Sequence, residues 1–288
     1  MLSLQDLHNF YRISRPGNVL MTCLSLCLGA YIAKNHSFIF FKHTIFWAIT
    51  IATMLIAAGG YWINDAYDFR IDRINKPDKA IVNTFLSVKK VTTSYIVLNV
   101  IVLLGAVFFV KKLILILLGA ILLLFFYAVY LKRSTLVGNI LVAFLASLVL
   151  MMAGFIYTFN IALIWTAIFA FEITLIREIV KDTEDIKGDF AFGLQTLPIQ
   201  IGIKKTKYVL YGLAILFEVS CMLPTLFHFI NSHKLQSPYC WVSVSLVQIP
   251  FLYVIKKLIH ANSPQDFTHI SRYLKYMMLA GMVSTLML

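Results

Sequence analysis

Two short stretches hold most of this chain's 13 acidic residues: Asp65, Asp68, Asp72 and Asp78, then Glu178, Asp182, Glu184, Asp185 and Asp189. In Asn64-x3-Asp68-x3-Asp72 each step of four turns a helix by about 400°, so three oxygen-bearing side chains share one face. The steps in Asp182-x2-Asp185-x3-Asp189 predict a second row on nearly one face. Asp65 falls about 100° away from the first row and is the weaker candidate ligand. Oxygen-only rows suit Mg²⁺, which takes a few carboxylates and completes its shell with water and phosphate oxygens. Arg70, Arg73, Lys76, Lys79, Lys132, Arg133, Arg177 and Lys181 surround the rows. Carboxylates alone repel an anion, but carboxylates holding Mg²⁺ and ringed by cations attract a polyphosphate. They can also stabilise charge growing on a departing diphosphate.

The elements that must position these groups are membrane helices. The chain has 288 residues, 60% of them apolar and 13% charged, with a mean hydropathy of +0.83. A water-soluble domain carries about 25% charged residues, so that class is excluded. The net charge of +12 is distributed between long apolar runs, which points to a bilayer and not to nucleic acid. Nine segments approach the length of a spanning helix, roughly 17–33, 43–63, 91–110, 113–131, 136–157, 161–180, 206–228, 239–255 and 270–288. Before them, Leu4, Leu7, Phe10 and Tyr11 form an apolar stripe, so residues 1–16 are expected to lie along the interface as an amphipathic helix. Lys and Arg are concentrated on one side of the spans. Only Lys34, Lys42, Lys111, Lys112 and Lys234 of the 25 fall on the other, which predicts a cytoplasmic N-terminus. Cys23, Cys27, Cys221 and Cys240 lack ligand spacing and are expected to be packed thiols.

Both acidic stretches then sit at the cytoplasmic end of an outward-to-inward span, the second and the sixth. Ionisable groups at a membrane boundary are costly unless they are functional, which favours a site over solvated loop ends. A substrate with a diphosphate at that boundary and a long apolar tail among helices is a prenyl diphosphate. An ion-coupled transporter is the reading from another class, but its acids belong nearer the midplane. Glu172, inside the sixth span, either faces the site or pairs with a polar neighbour.

At these residues the sequence resembles the UbiA superfamily of membrane prenyltransferases. Asn64-Asp65-Ala66-Tyr67-Asp68-Phe69-Arg70-Ile71-Asp72 matches its first signature, continued by Asn75-Lys76-Pro77-Asp78-Lys79. Asp185-Ile186-Lys187-Gly188-Asp189, preceded by Asp182, matches the second. Tyr127 to Arg133 resembles the family's Tyr…Lys-Arg element, and Arg15-Pro16-Gly17-Asn18 the element opening the first span. Lys79-Ala80 departs from the family's usual Arg-Pro and loses a bidentate donor. The resemblance implies an all-α polytopic fold, a single domain over 1–288, with nine transmembrane helices around a central cavity open toward the cytoplasmic boundary. It implies Asn64, Asp68, Asp72, Asp182, Asp185 and Asp189 as catalytic residues and Mg²⁺ ligands. Arg15, Asn18, Arg73, Lys79, Tyr127, Lys132, Arg133, Arg177 and Lys181 would bind substrate. The expected activity is Mg²⁺-dependent transfer of a prenyl group, geranylgeranyl by preference, to a lipophilic acceptor in the cell (inner) membrane. Arg177-Glu178-Ile179-Val180-Lys181-Asp182 with Gly188-Asp189 is most similar to the digeranylgeranylglyceryl phosphate synthase branch. An aromatic acceptor of quinone biosynthesis is the alternative.

Overall fold

A backbone in hydrocarbon can satisfy its own polar groups only as a helix or a closed barrel, and the runs of Leu, Ile, Val, Phe and Ala here take the first course. A computed structural model describes residues 3–232 and 238–288, so His233 and Lys234 lie outside the described residues, as does the side chain of Lys79. The helices are α1 (Leu4–Ile13), α2 (Pro16–Ala33), α3 (Thr44–Asn75), α4 (Val88–Phe109), α5 (Ile114–Val129), α6 (Val137–Ile156), α7 (Ile161–Glu184), α8 (Ile186–Ala191), α9 (Leu197–Ser232), α10 (Pro238–Ser243), α11 (Ile249–His260) and α12 (Pro264–Thr285). Among the described residues there is no strand, only an isolated bridge between Val82 and Leu86. The four cysteines are free thiols.

Seven described helical stretches are long and apolar enough to cross a membrane: Pro16–Ala33, Thr44–Asn75, Val88–Phe109, Lys111–Val129, Val137–Ile156, Leu197–Ile230 and Pro238–His260. The protein is an integral membrane protein. The segments expected as the sixth and ninth spans are helices α7 and α12, of 24 and 22 residues, whose charged and polar residues leave them less apolar than these seven. Two boundaries differ most from expectation. Helix α3 continues three turns beyond residue 63, so the first acidic row rides on a rigid helix. Helix α9 starts at Leu197, nine residues early, and is broken at Gly202, whose φ of 79° is a conformation that disfavours any side chain. Between α10 and α11 the turns widen into a π-helix over Val244–Gln248.

The chain forms two compact units. The first comprises residues 1–27, 38–134 and 187–194. Here α1 is capped by Ser3, whose hydroxyl accepts from the Asp6 amide while Asp6 accepts from the Ser3 amide. Phe10 and Ile13 of α1 pack with Ala66, Ile81, Val82, Leu86 and Val91, and Phe10 meets the Trp62 ring. Leu4, Leu7 and Tyr11 of α1 are exposed. The second unit comprises residues 28–37, 135–186 and 195–288. Its core is the packing of α7 and α9 with α11 and α12, through Ile173, Ile176, Leu210, Phe217, Phe251, Phe267 and Leu274 among others.

Candidate functional site

In the first unit the α3 row is bound together by its own chemistry. Asn64 Nδ2 donates to Asp68 Oδ2 at 2.7 Å, a contact only residues on one face can make. Lys132, from the turn after α5, donates to the same oxygen. Asp68 is buried, with 4% of its surface exposed, so this ammonium is the countercharge that makes its burial tolerable. Burial works against the Lys132 ammonium, but Asp68, Tyr127 and Asp189 outweigh it and hold the pKa above the ordinary lysine value. Asp189 is itself buried, in the first turn of α8. Tyr127 and Asp189 thus lie within electrostatic reach of the Asp68–Lys132 pair.

Arg15 joins α1 to α2 with a left-handed backbone, φ 51°, a strained conformation for a side-chain-bearing residue. Its guanidinium donates to Asp65 Oδ1 at 2.6 Å and covers the Tyr61 ring at 4.8 Å. Burial disfavours the charge, yet Asp65, Tyr61 and Asp72 raise the Arg15 pKa above its ordinary value. Asp65 is therefore spent on Arg15. Arg73 Nη2 donates to the Asn83 carbonyl at 2.9 Å and is turned toward that loop. Asn18 is half-buried in the first turn of α2, and Arg133 is exposed.

Two residues that spacing did not single out couple the motifs. The Gly188 amide donates to Asn75 Oδ1 at 2.8 Å, tying α8 to the end of α3. A Cβ on Gly188 would stand 2.6 Å from the Asn75 side chain, so the contact requires glycine. Both belong to the quoted signatures, but only the fold reveals that one holds the other. Ser14 makes a further tie: it accepts from Trp62 Nε1 at 2.8 Å and fixes α1 against α3.

The second acidic row is not one helical face. Helix α7 ends at Glu184, Asp185 is its C-cap at φ −91°, ψ 7°, and α8 begins anew. Asp182, Glu184 and Asp185 crowd the negative end of the α7 dipole, whereas restarting places Asp189 at a favourable N-terminal turn. Asp182 and Asp185 fall in the second unit and Asp189 in the first. In the second unit, Asn139 Nδ2 donates to Asp182 Oδ2 at 2.8 Å. Buried Glu178 accepts from Arg177 Nη1 at 3.0 Å and from Lys181 Nζ at 2.8 Å, so these cations pair one turn before the row. Glu172 accepts from Ser220 at 2.8 Å, the polar-neighbour alternative.

Among the described residues no three His, Cys, Asp or Glu side chains form a cluster that could hold a metal ion by themselves. The donor set still fits a hard cation. Asn64 Oδ1 is buried and has no hydrogen-bond partner, a carbonyl oxygen held in place beside Asp68. Mg²⁺ needs only one or two protein carboxylates when phosphate oxygens and waters supply the rest.

Comparison with known proteins follows the same lines. Residues 20–277 match the model of the UbiA prenyltransferase family. The chain is 32% identical over 285 residues to digeranylgeranylglyceryl phosphate synthase of Methanobrevibacter smithii, covering 96% of this chain and 95% of that one. It is 33% identical to the synthase of the same name from Methanosphaera stadtmanae, covering 96% and 97%. Among solved structures, a digeranylgeranylglyceryl phosphate synthase superposes with a TM-score of 0.72 at 23% identity, over 98% of this chain and 99% of that one. A UbiA homolog from Archaeoglobus fulgidus bound to GPP and Mg²⁺ superposes with a TM-score of 0.65 at 18% identity, over 96% and 99%.

Proposed function

The chain belongs to the UbiA prenyltransferase family, and from that premise we propose that it transfers a geranylgeranyl group from its diphosphate to the hydroxyl of geranylgeranylglyceryl phosphate, in the presence of Mg²⁺. The relatives named above support the acceptor, and the Archaeoglobus homolog supports both a prenyl diphosphate and the metal. The observation that carries the reading is the pairing of a partnerless, buried Asn64 Oδ1 with an Asp68 carboxylate that already binds a cation.

In this reading Asn64, Asp68, Asp72, Asp182, Asp185 and Asp189 are the residues that hold Mg²⁺. The metal, when bound, neutralises the diphosphate and stabilises charge on its leaving oxygen. Lys132 supplies a fixed ammonium beside Asp68, and Tyr127 stands within its reach. Arg15, Asn18, Arg73, Lys79, Arg133, Arg177 and Lys181 belong to the substrate-binding set, Arg15 acting from its ion pair with Asp65. The C1–O bond of the prenyl diphosphate breaks with its electron pair leaving on diphosphate. The acceptor oxygen bonds to C1, and its proton is taken up by the released diphosphate. Aromatic faces such as those of Tyr61, Tyr67 and Tyr127 can stabilise the allylic cation between the two events.

The finer architecture belongs to the same proposal. Helices α7 and α12 join the seven apolar stretches as spans, and residues 1–288 act as one catalytic domain. Exposed Leu4, Leu7 and Tyr11 seat α1 in the interface of the cell (inner) membrane, with the N-terminus and the active site on the cytoplasmic side. Incubating membranes that contain the protein with labelled geranylgeranyl diphosphate and a panel of acceptors tests the assignment. A diether phosphate product supports it; product only from aromatic acids overturns the acceptor.

A further inference from the structure

Helices α11 and α12, both in the second unit, are joined by the turn at 261–263, and the sequence around that turn is basic almost without acids. Asp266 is the one acidic residue between Ile249 and Leu288. It is committed to capping α12, accepting from the Asn262 and Ser263 amides and from the Ser263 hydroxyl. Ile249, Tyr253, Lys256 and Lys257 share about 100° of α11, and Arg272, Tyr273 and Tyr276 about 100° of α12. All seven are exposed. The two faces meet where the Tyr253 and Tyr273 rings pack edge to face, centroids 5.5 Å apart. Lys257 is folded back from the helix end, its ammonium 5.4 Å from the Tyr253 ring centroid and within reach of that hydroxyl. Among the described residues Lys256, Lys257 and Arg272 have no carboxylate partner. A lysine near a span end ordinarily extends toward water. One turned inward and unpaired is costly unless an anion meets it at the boundary.

We propose that this face of α11 and α12 binds the headgroup of one anionic membrane lipid. Lys256, Lys257 and Arg272 supply the charge, and the hydroxyls of Tyr253 and Tyr273 are neutral donors for the phosphate oxygens. One turn deeper than Tyr253, exposed Ile249 offers apolar surface to the lipid's chains, as does the Tyr276 ring on α12. Cations near the turn and apolar groups below them repeat the order of a lipid molecule, which is why the ligand is a lipid and not free phosphate. The site uses none of the residues assigned to prenyl transfer, so it goes beyond that activity and does not depend on the acceptor.

The test titrates the full chain, in a zwitterionic detergent, with phosphatidylglycerol or phosphatidylcholine and reads retained lipid by native mass spectrometry. Wild type is expected to hold one phosphatidylglycerol more tightly than phosphatidylcholine. Lys256→Gln with Lys257→Gln should weaken phosphatidylglycerol binding by about tenfold or more and leave phosphatidylcholine unmoved, as loss of two cations beside an anionic headgroup does. Arg272→Gln should act in the same direction. Lys256→Arg with Lys257→Arg keeps the affinity, which separates lost charge from lost folding. Lys111→Gln with Lys112→Gln removes the same charge from another helix end and should change nothing. Unaltered phosphatidylglycerol affinity in the Lys256→Gln, Lys257→Gln protein overturns the inference, and so does an equal loss in the Lys111→Gln, Lys112→Gln protein. Displacement of the bound lipid by inorganic phosphate alone overturns it too, because the site would then read phosphate without its lipid.

Discussion

Asp68 Oδ2 accepts from both Asn64 and Lys132, and that double contact decides how the residue responds to substitution. Asp68→Asn keeps an acceptor for Lys132 and removes only the charge. It should therefore fold, while turnover falls by about 100-fold or more, as losing a fixed electrostatic group at a reacting centre does. Turnover with labelled donor, read beside a melting curve in detergent, checks both halves. Lys132→Met does the reverse and strands a buried carboxylate. A loss of about 3 kcal/mol in unfolding stability is expected, partly recovered in the double variant with Asp68→Asn. Equal stabilities of the single and double variants would deny the pair its structural role. The α3 row was legible because a four-residue period on one continuous helix needs no tertiary knowledge. Asp65 was legible only as out of line; its commitment to Arg15 depends on the left-handed turn between α1 and α2.

Elements set what those residues can reach. Helix α8 is held to α3 by the Gly188 amide on Asn75, with no room for a Cβ. Gly188→Ala must push the Asn75 side chain away and break the bond, at a cost of about 1 kcal/mol. The larger effect should be on Asp189, as a raised Mg²⁺ concentration for half-maximal activity, measured by metal titration; an unaltered titration contradicts the coupling. Helix α1 is anchored by Asp6, which accepts from Lys90 Nζ at 2.6 Å and from Ser3. Lys90 first, then the Ser3 contacts, lower the Asp6 pKa from 3.8 to about 2. A lowered carboxylate pKa means the anchor is fully present above pH 3.8 and is lost as the pH falls toward 2. Amides of α1 should keep their hydrogen-exchange protection at pH 4 and lose part of it by pH 2.5, and Asp6→Asn should be pH-insensitive over that range. The Asp182–Asp185–Asp189 row was misread at this scale. Local spacing cannot show that acids crowding the end of α7 stop it at Glu184 and restart the chain as α8.

Over the whole chain, composition alone excluded a soluble protein, and seven of nine expected spans are helices with the length and apolarity to cross. The segments expected as the remaining two are helices α7 and α12, which carry more charged and polar residues and fall short of that apolarity. The distribution of Lys and Arg predicts the N-terminus in the cytoplasm. A single cysteine placed at Lys34 or Lys112 in a cysteine-free chain should react with an impermeant maleimide from outside intact cells, whereas one at Lys89 should not. The reverse pattern would invert the orientation.

The most direct measurement is mass analysis of the product made by purified protein from geranylgeranyl diphosphate and geranylgeranylglyceryl phosphate, with metal removed by EDTA and then restored. A phosphate carrying two geranylgeranyl ethers, absent after EDTA and regained with Mg²⁺, is the predicted result. Transfer that proceeds undiminished without metal, or no diether under any metal condition, contradicts the assignment of the Asn64–Asp68–Asp72 row.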